Sequence, residues 1–410
     1  MSNQTPWLSI VGIGLGGWDD LARPARAAIR AAEIIIGGPR HLAALPDDVT
    51  GERRAWPSPF TDVFPMIQAW RGRPVVVLAT GDPFWFGAGA SLTRVVAPAE
   101  ICTWPQPSAF SLAAARLGWA LQHVDCLSVH GRAMDDVVPY LADRARLLIL
   151  SWDGDTPNAL AAFLSERGFG DSIMTVLGDL GSADEACVSA AAKAWEPRAA
   201  AALNVVAVDC VAAPTADVLG HAPGRAESWF TRGGQITKRE VRAVVLSLLA
   251  PAAGETLWDI GAGSGAIAIE WLLADRRNAA VAVEARADRA ADIEAAAARL
   301  GAGRLVVQHH RADSALAGLG GRPEAIFIGG GLTTPGLIDA CMARLAPRGR
   351  VVATSVTLEG EAVLLAAYER WGGRLRHIAV ARSAPLGELT GWQPQRPIVI
   401  WSSADEQAHP

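Results

Sequence analysis

The chain has 410 residues, half of them apolar, which is enough for two large domains or three small ones. Its net charge of −5 argues against a nucleic-acid partner, because such proteins normally carry a basic footprint. The five cysteines include no Cys-x-x-Cys pair and indicate neither a disulfide framework nor a structural zinc site. No basic leader segment precedes the first apolar stretch, and no apolar run is long enough to cross a bilayer. We therefore expect a cytoplasmic protein without metal or membrane contact.

A glycine-rich turn opens the chain directly after a strand-like apolar run, with glycines at Gly12, Gly14, Gly16 and Gly17. This spacing lets the backbone turn tightly beside a nucleotide-like ligand. A dinucleotide site would also need an acid at the end of the second strand, but Glu33 stands at the beginning of that strand. The turn alone therefore leaves the ligand open.

The apolar run 74–79 leads into a second loop, Thr80-Gly81-Asp82-Pro83-Phe84-Trp85-Phe86-Gly87. This loop resembles the Gly-Asp-Pro loop of the tetrapyrrole methylases, class III methyltransferases built from two α/β subdomains with S-adenosylmethionine folded between them. Leu15 departs from that family, in which many members carry proline in the opening loop. The resemblance implies cofactor contacts by six residues of the first half: Gly81, Asp82, Trp85, Ser108, Ala109 and Gly178.

Two further features of the first half bear on the substrate. The turn Ser128-Val129-His130-Gly131-Arg132 resembles one in the C5-methyltransferases of the cobalamin pathway, which makes His130 a candidate for substrate contact. A lone histidine beside a turn is more often structural, and that interpretation stays open. With the cofactor assigned to the Gly-Asp-Pro loop, we expect Gly12, Gly14 and Gly16 to form a floor beside the substrate.

The main boundary is predicted near Pro214. Residues 203–209 form a strand-like run rich in β-branched side chains, and residues 212–225 gather proline, glycine and alanine without a sustained period. Helical periodicity resumes at Lys238, where Thr237 and Glu240 fit a capping box. We predict a first domain over 1–213, a linker over 214–228 and a second domain over 229–410.

The second half alternates strands and helices, which predicts a doubly wound, mostly parallel sheet with ligands at the carboxyl ends of its strands. Strands are expected at 256–260, 280–284, 304–308, 325–328 and 350–355. Helices are expected at 265–273, 287–300, 335–344 and 358–371. Two later strand-like runs, 375–381 and 397–402, are expected to pair as an antiparallel edge.

The second glycine loop, Trp258-Asp259-Ile260-Gly261-Ala262-Gly263-Ser264-Gly265, follows the first of these strands. Its glycines also satisfy the dinucleotide fingerprint, with Glu284 at the distance of a ribose-binding acid. Asp259 argues against a dinucleotide, because an anion at this position repels a pyrophosphate. It suits a ligand that carries a positive sulfonium and an amino group. S-adenosylmethionine is such a ligand.

This loop resembles the first motif of class I S-adenosylmethionine-dependent methyltransferases. Residues 235–242 and 326–331 resemble a narrower family, the corrin-ring C15-methyltransferases that also remove a carboxyl group from an acetate side chain. The resemblance implies cofactor contacts by Thr237, Asp259, Gly261, Ala262, Gly263, Ser264, Gly265, Glu284, Asp313 and Ser314. It also places Gly329 and Gly330 on the substrate side.

A class III half followed by a class I half resembles the fused C5,15-methyltransferases of aerobic cobalamin synthesis. The resemblance implies an α/β protein whose second half is Rossmann-like, two S-adenosylmethionine sites and a homo-oligomer. The implied reaction converts precorrin-6B to precorrin-8 by methylation at C5 and C15, with loss of the C12 acetate carboxyl group as carbon dioxide. We hypothesise that carboxylates of the macrocycle pair with Arg232, Arg239, Arg242 or Arg382.

Three alternatives remain open at this point. An oxidoreductase with two dinucleotide sites is disfavoured by Asp259 and by the position of Glu33. A protein that binds S-adenosylmethionine without turnover is the non-enzymatic alternative. An RNA methyltransferase is disfavoured by the acidic isoelectric point of about 5.9.

Overall fold

A computed structural model describes residues 6–230 and 236–403. The chain forms two compact units. The first contains the residues up to Arg132 together with Ala142–Asp217, and the second contains Ala133–Leu141 together with the residues from Val218 onward. The first unit ends at Asp217, a position within the segment 214–228 that was predicted as a linker. Nothing in the sequence indicated that Ala133–Leu141, whose 3-10 helix Met134–Tyr140 packs in the second unit, leaves the first.

The first unit contains two sheets, as the resemblance to the tetrapyrrole methylases implied. The parallel sheet consists of β1 (Leu8–Ile13), β2 (Ile34–Gly37), β3 (Glu52–Ala55), β4 (Val75–Thr80) and β5 (Ile101–Trp104), in the order β3-β2-β4-β1-β5. The mixed sheet consists of β6 (Asp125–Ser128), β7 (Arg146–Leu150), β8 (Ile173–Gly178), β9 (Ala186–Ala191) and β10 (Asn204–Asp209), in the order β6-β7-β10-β8-β9. The helices are α1 (Arg23–Ala31), α2 (Pro39–Ala43), α3 (Val63–Ala69), α4 (Ala88–Leu92), α5 (Ala109–Leu117) and α6 (Thr156–Glu166).

The inner strands β1, β2 and β4 are almost continuous apolar runs because both faces of the sheet are buried there, whereas the edge strand β3 is exposed. Ile10, Ile34 and Val77 pack into the core on one face, whereas Val11 and Leu78 pack into the core on the other. This burial fixes the register of β1 against β4 and so brings the loops that follow the two strands together.

The second unit is built on a seven-stranded sheet with an added hairpin. The strands are β11 (Thr256–Ile260), β12 (Ala279–Glu284), β13 (Val306–His309), β14 (Ala325–Ile328), β15 (Arg350–Ser355), β16 (Arg374–Ile378), β17 (Ala381–Leu386), β18 (Leu389–Pro394) and β19 (Ile398–Ser402). The helices are α7 (Arg239–Leu249), α8 (Ala266–Ala274), α9 (Ala287–Arg299), α10 (Ala312–Gly318), α11 (Leu337–Arg344) and α12 (Leu358–Trp371). The strand order is β13-β12-β11-β14-β15-β19-β16, in which the first five strands are parallel and β19 is antiparallel to both of its neighbours. This confirms the prediction of a doubly wound sheet with an antiparallel edge.

Two elements of the second unit were not expected from the sequence. The helix α10 is short, and the run predicted as one strand over 375–381 stops at Ile378. The chain then forms the antiparallel pair β17–β18, which includes Pro385, Gly391 and Pro394. These residue types normally argue against a strand, and they are tolerated here because the pair is a separate two-stranded sheet. Over 6–230 and 236–403, no helix has the length and apolar content to cross a membrane.

Candidate functional sites

Three loops of the first unit meet at the carboxyl ends of β1, β4 and β5. The amide of Gly81 donates to the carbonyl of Ile13 at 3.3 Å, and the amide of Gln106 donates to the carbonyl of Gly81 at 3.2 Å. A Cβ added at Gly12 would lie 1.9 Å from the carbonyl oxygen of Gly81 and 2.7 Å from the amide nitrogen of Gln106. Only glycine allows this approach. The structure therefore joins Gly12, expected on the substrate side, to the predicted cofactor loop.

The Gly-Asp-Pro loop presents aromatic side chains to solvent. Asp82 caps its own turn, because its carboxylate accepts a hydrogen bond from the amide of Phe84 at 2.9 Å. Trp85 and Phe86 lean on Phe110 of α5 at ring distances of 5.3 and 6.0 Å, yet remain 38 and 45 % exposed. The guanidinium of Arg132 lies 4.9 Å from the ring of Phe86. These exposed rings form an apolar surface beside the glycine loops.

The other predicted residues of the first unit lie on both subdomains. Ser108 is buried at the N-cap of α5, where its hydroxyl accepts from the amide of Ser111 at 3.1 Å, and Ala109 begins the helix. Gly178 is buried at the end of β8 in the mixed sheet. His130 is exposed in the turn that ends at Arg132.

Thr80, the residue before Gly81, belongs to a polar cluster that was not predicted from the sequence. The buried imidazole of His41 has its Nε2 atom 3.1 Å from the hydroxyl of Thr80, and the Arg40 guanidinium donates to the same hydroxyl at 3.2 Å. Burial and the neighbouring guanidinium lower the pKa of His41 to about 4, which keeps the imidazole neutral at physiological pH. Neither residue belongs to a recognisable motif.

The second unit contains a cleft of about 910 Å³ at the carboxyl ends of its parallel strands. Its walls come from the segments before α7, after β11, β12, β13, β14 and β15, and before β19. The predicted site residues that line it are Thr237, Arg242, Gly261, Ala262, Gly263, Ser264, Glu284, Gly329 and Gly330. This end of the sheet is where open α/β folds bind their ligands.

The glycine loop of this cleft has three left-handed residues, Gly261, Gly263 and Gly265, with φ of +68°, +61° and +69°. A Cβ at Gly261 would lie 2.5 Å from the Cα atom of Gly330, and one at Gly265 would lie 2.6 Å from Ile293. A Cβ at Gly263 would meet no atom within 4 Å. Two glycines thus allow close packing, and the third leaves space for a ligand.

The carboxylate of Glu284 holds this loop in place. It is 5 % exposed and accepts from the amide of Gly263 at 2.8 Å and from the amide of Arg286 at 3.0 Å. Glu284, the last residue of β12, thereby fixes the position of Gly263. The arrangement fits S-adenosylmethionine for two reasons. Gly263 leaves a space that a side chain at this position would fill. The carboxylate of Glu284 stands at the position that the resemblance gives to the ribose-binding acid.

Asp259 does not line the cleft. It is fully buried under the loop, where one carboxylate oxygen accepts from the amide of Ala268 at 3.2 Å. Its other oxygen has no hydrogen-bond partner in the described part of the chain. Burial, with a smaller contribution from Glu284, raises the pKa of Asp259 to about 7. The expectation that a fixed negative charge at Asp259 faces the ligand directly is therefore not met.

The four proposed substrate-binding arginines have different positions. Arg232 lies outside the described residues, and Arg239 is exposed without lining the cleft. Arg382 is bound to Glu240 at 2.6 Å and to Glu227 at 3.2 Å. Arg242 is fully buried and bound to Glu270 at 2.8 Å. Arg242 lines the cleft, but its guanidinium is engaged by Glu270 and by the backbone carbonyls of Thr237 and Arg225, so this structure holds it as an internal ion pair.

Thr237 lines the cleft, but the capping box predicted for it is wrong. Lys238 is the N-cap of α7 and makes no capping bond with its side chain. Glu240 is turned to Arg382 instead, and the carbonyl of Thr237 accepts from Arg242 at 2.6 Å.

The predicted adenine contacts lie on α10. Its first residue, Ala312, lines the cleft. The hydroxyl of Ser314 donates to the carbonyl of Arg311 at 3.1 Å, and Ser314 itself does not line the cleft. Asp313 belongs to the helix, but its side chain lies outside the described part of the structure. In residues 6–230 and 236–403, no cluster of three or more His, Cys, Asp or Glu side chains forms a metal-binding group.

Comparison with known proteins gives a consistent match for each half. A family described as "Tetrapyrrole (Corrin/Porphyrin) Methylases" matches residues 8–194, and one described as "Precorrin methyltransferase domain" matches residues 228–405. A precorrin-6Y C(5,15)-methyltransferase [decarboxylating] of Sinorhizobium sp is 47 % identical over 97 % of this chain and 96 % of its own length. The protein of that name from Mycobacterium tuberculosis (strain CDC 1551 / Oshkosh) is 39 % identical over 96 % of this chain and 98 % of its own length. Among solved structures, the chain is similar to the C-terminal domain of precorrin-6Y C5,15-methyltransferase from Rhodobacter capsulatus. The sequence identity is 44 % and the TM-score 0.43, and the match covers 45 % of this chain and 98 % of that domain.

Proposed function

Because the chain belongs to the precorrin-6Y C5,15-methyltransferase (decarboxylating) family, we propose that its two units divide the reaction of that family between them. The first unit methylates C5 of the corrin precursor, and the second methylates C15 and releases the C12 acetate carboxyl group as carbon dioxide. Each unit has its own S-adenosylmethionine site. The match of residues 8–194 to tetrapyrrole methylases and of residues 228–405 to a precorrin methyltransferase domain supports this division.

The observation that carries the proposal for the second unit is the open glycine of its cleft. Gly263 is left-handed, has free space beside its Cα atom and donates to Glu284, so the protein's own groups hold the loop in this shape. When bound, S-adenosylmethionine supplies an electrophilic methyl group on a sulfonium. The walls of the cleft have to orient the ring carbon in line with that group and exclude water, and positioning of this kind supplies roughly 7–11 kcal/mol of a barrier.

In the first unit the proposal assigns the cofactor to the loops joined at Gly12, Gly81 and Gln106, with Ser108, Ala109 and Gly178 completing the site. The exposed rings of Trp85 and Phe86 offer an apolar surface against which a flat macrocycle can pack. His130, two residues from Arg132, remains the proposed polar contact to substrate.

The proposal is tested with the full chain, precorrin-6B and S-adenosylmethionine. We expect a product that has gained two methyl groups and lost one carbon dioxide. Gly263→Val, which fills the open side of the loop, is expected to abolish C15 methylation and carbon dioxide release together. Gly12→Ala, which forces its Cβ against the Gly81 carbonyl, is expected to abolish C5 methylation. Decarboxylation that survived Gly263→Val in the folded protein would contradict the assignment of C15 methylation and decarboxylation to the second unit.

We also propose that the chain forms a homo-oligomer in the cytoplasm. The hairpin β17–β18 supports association, because Leu386, Leu389 and Trp392 are 69, 76 and 78 % exposed on it. Light scattering of the purified chain is expected to give a mass above that of one copy. Substitution of Leu389 and Trp392 by aspartate is expected to lower that mass.

A further inference from the structure

The cleft of the second unit is lined by far more positive than negative side chains. Its cationic lining residues are Lys238, Arg242, Arg289, Arg311 and Arg396. Glu284 is the single acidic residue among the described lining residues, and both of its oxygens are occupied by backbone amides. A ligand with several carboxylates is favoured in such a cleft.

Two of these cations are neutralised within the protein. Arg242 is paired with Glu270, and the ammonium of Lys238 lies 2.9 Å from a carboxylate oxygen of Glu227. Arg396 differs from both. It is exposed at the cleft, and in the described part of the chain its guanidinium makes neither an ion pair nor a hydrogen bond.

The sheet order places Arg396 on the side of the cleft away from Glu284. Arg396 lies two residues before β19, which is antiparallel to β15 with Val399 opposite Ser355. The beginning of β19 therefore lies at the carboxyl end of β15, beside the cleft. β19 is three strands from β11 and its glycine loop, a distance of about 14 Å at the usual strand spacing, whereas Glu284 lies on the other neighbour of β11.

We infer that Arg396 is the anchor for a substrate carboxylate in the second unit, an inference that rests on the proposed function. Its planar guanidinium offers two parallel donors to a carboxylate, which lysine cannot reproduce. The anchored group is one that the substrate retains. An arginine fork on the departing carboxylate would stabilise the charged ground state and oppose the loss of carbon dioxide, since only interactions stronger in the transition state accelerate a step.

The inference is tested by steady-state kinetics of the full chain with precorrin-6B, following carbon dioxide release. For Arg396→Gln we expect the KM for the tetrapyrrole to rise about 10- to 100-fold, as for the loss of a charge-assisted hydrogen-bonded pair. The KM for S-adenosylmethionine and the kcat of carbon dioxide release are expected to stay within about threefold of the wild type. Arg396→Lys should recover part of the loss, because it keeps the charge without the fork. Arg348→Gln, which changes an exposed arginine outside the cleft, is the matched control.

Raised ionic strength gives a second readout. The tetrapyrrole KM of the wild type should rise with salt more steeply than that of Arg396→Gln, because the variant lacks the exposed charge that salt screens. An active wild type combined with an unchanged tetrapyrrole KM in Arg396→Gln would overturn the inference and leave the proposed function standing. A fall in kcat with unchanged KM would also overturn it, since the residue would then act on the chemical step. A wild type that neither methylates nor decarboxylates precorrin-6B would instead refute the proposed function.

Discussion

Removing the negative charge of Glu270 is expected to destabilise the second unit severely. Glu270 lies on α8, is 2 % exposed and accepts hydrogen bonds from Arg242 at 2.8 Å, from the amide of Gly224 at 2.8 Å and from Arg225 at 3.3 Å. It is the carboxylate that compensates two buried guanidiniums. Glu270→Gln would keep the shape of the side chain and leave both positive charges without a counterion.

The expected magnitude follows from the degree of burial. The side chains of Arg242 and Glu270 are 0 % exposed and that of Arg225 is 7 % exposed, so solvent screens the pairs little. Breaking a buried ion pair by removing one partner costs roughly 3–5 kcal/mol, because the remaining charge stays desolvated. For a unit of this size such a loss lowers the melting temperature by on the order of 10 °C.

The same cluster shapes the cleft. Arg242 donates to the carbonyl of Thr237 at 2.6 Å and also to the carbonyl of Arg225. Glu270 thereby connects α8, which follows the glycine loop, to the cleft segment before α7. Glu270→Gln is therefore expected to weaken S-adenosylmethionine binding by the second unit as well as to lower its stability.

Calorimetric unfolding of the full chain at pH 7 measures the first effect, with Glu294→Gln on the exposed face of α9 as the matched control. Replacing the pair together, by Glu270→Leu with Arg242→Met, should cost less than the sum of the two single changes, because Arg242 no longer leaves an unpaired charge and only Arg225 then lacks its counterion. The reasoning is refuted if Glu270→Gln melts within about 2 °C of the control.

Three further predictions concern the loops. Gly261→Ala is expected to distort the glycine loop and lower the melting temperature strongly, because its Cβ would lie 2.5 Å from the Cα atom of Gly330. Gly263→Ala should lower it less, because its Cβ meets no atom within 4 Å and only the left-handed backbone, at about 1–2 kcal/mol, opposes it. Equal melting temperatures of the two variants would contradict this. Gly12→Ala is expected to end C5 methylation and leave carbon dioxide release measurable, which product mass spectrometry checks. Asp259 has a folded-state pKa of about 7 against 3.8 for the unfolded chain. Its contribution to the stability of the folded protein is therefore highest below about pH 4 and is lost as the pH rises through 7. The free energy of unfolding that it contributes decreases by up to about 4 kcal/mol over this range. Urea unfolding at pH 5 and pH 8 should show this slope in the wild type and not in Asp259→Asn.

The alternation of elements in the second unit was predictable because it depends on local signals. β11, β14 and β15 begin and end where the apolar runs do, and α12 follows its period from Leu358 to Trp371. The hairpin β17–β18 was missed because an exposed pair with proline and glycine carries no apolar alternation. Its pairing is set by the turn at Gly387, which has a φ of +62°.

The roles of charged residues were less predictable, because they depend on burial that a motif does not report. Arg242 matched the basic segment of a known family and was interpreted as a substrate ligand, but its guanidinium is buried in an ion pair with Glu270. One signal was available: Arg242 lies on the apolar stripe of α7 with Val245 and Leu249, and Glu270 interrupts the otherwise apolar α8. A cation on one buried helix face and an anion on another indicate an internal ion pair. Asp259 was identified by its position in the motif, but its burial, and hence its raised pKa, emerged only from the packing of α8 over the loop.

The two glycine turns share a physical role although the folds that contain them differ. In the first unit Gly12, the last residue but one of β1, lies against the carbonyl of Gly81, which follows the adjacent parallel strand β4. In the second unit Gly261 follows β11 and contacts Gly330, which follows the adjacent parallel strand β14. Neighbouring parallel strands end at the same edge about 4.8 Å apart, so the loops that leave them must pass within van der Waals distance. A side chain on the innermost residue would separate the loops and widen the site. The glycine spacing therefore reports the contact between two strand ends, and the residues after each glycine determine which ligand the resulting site accepts.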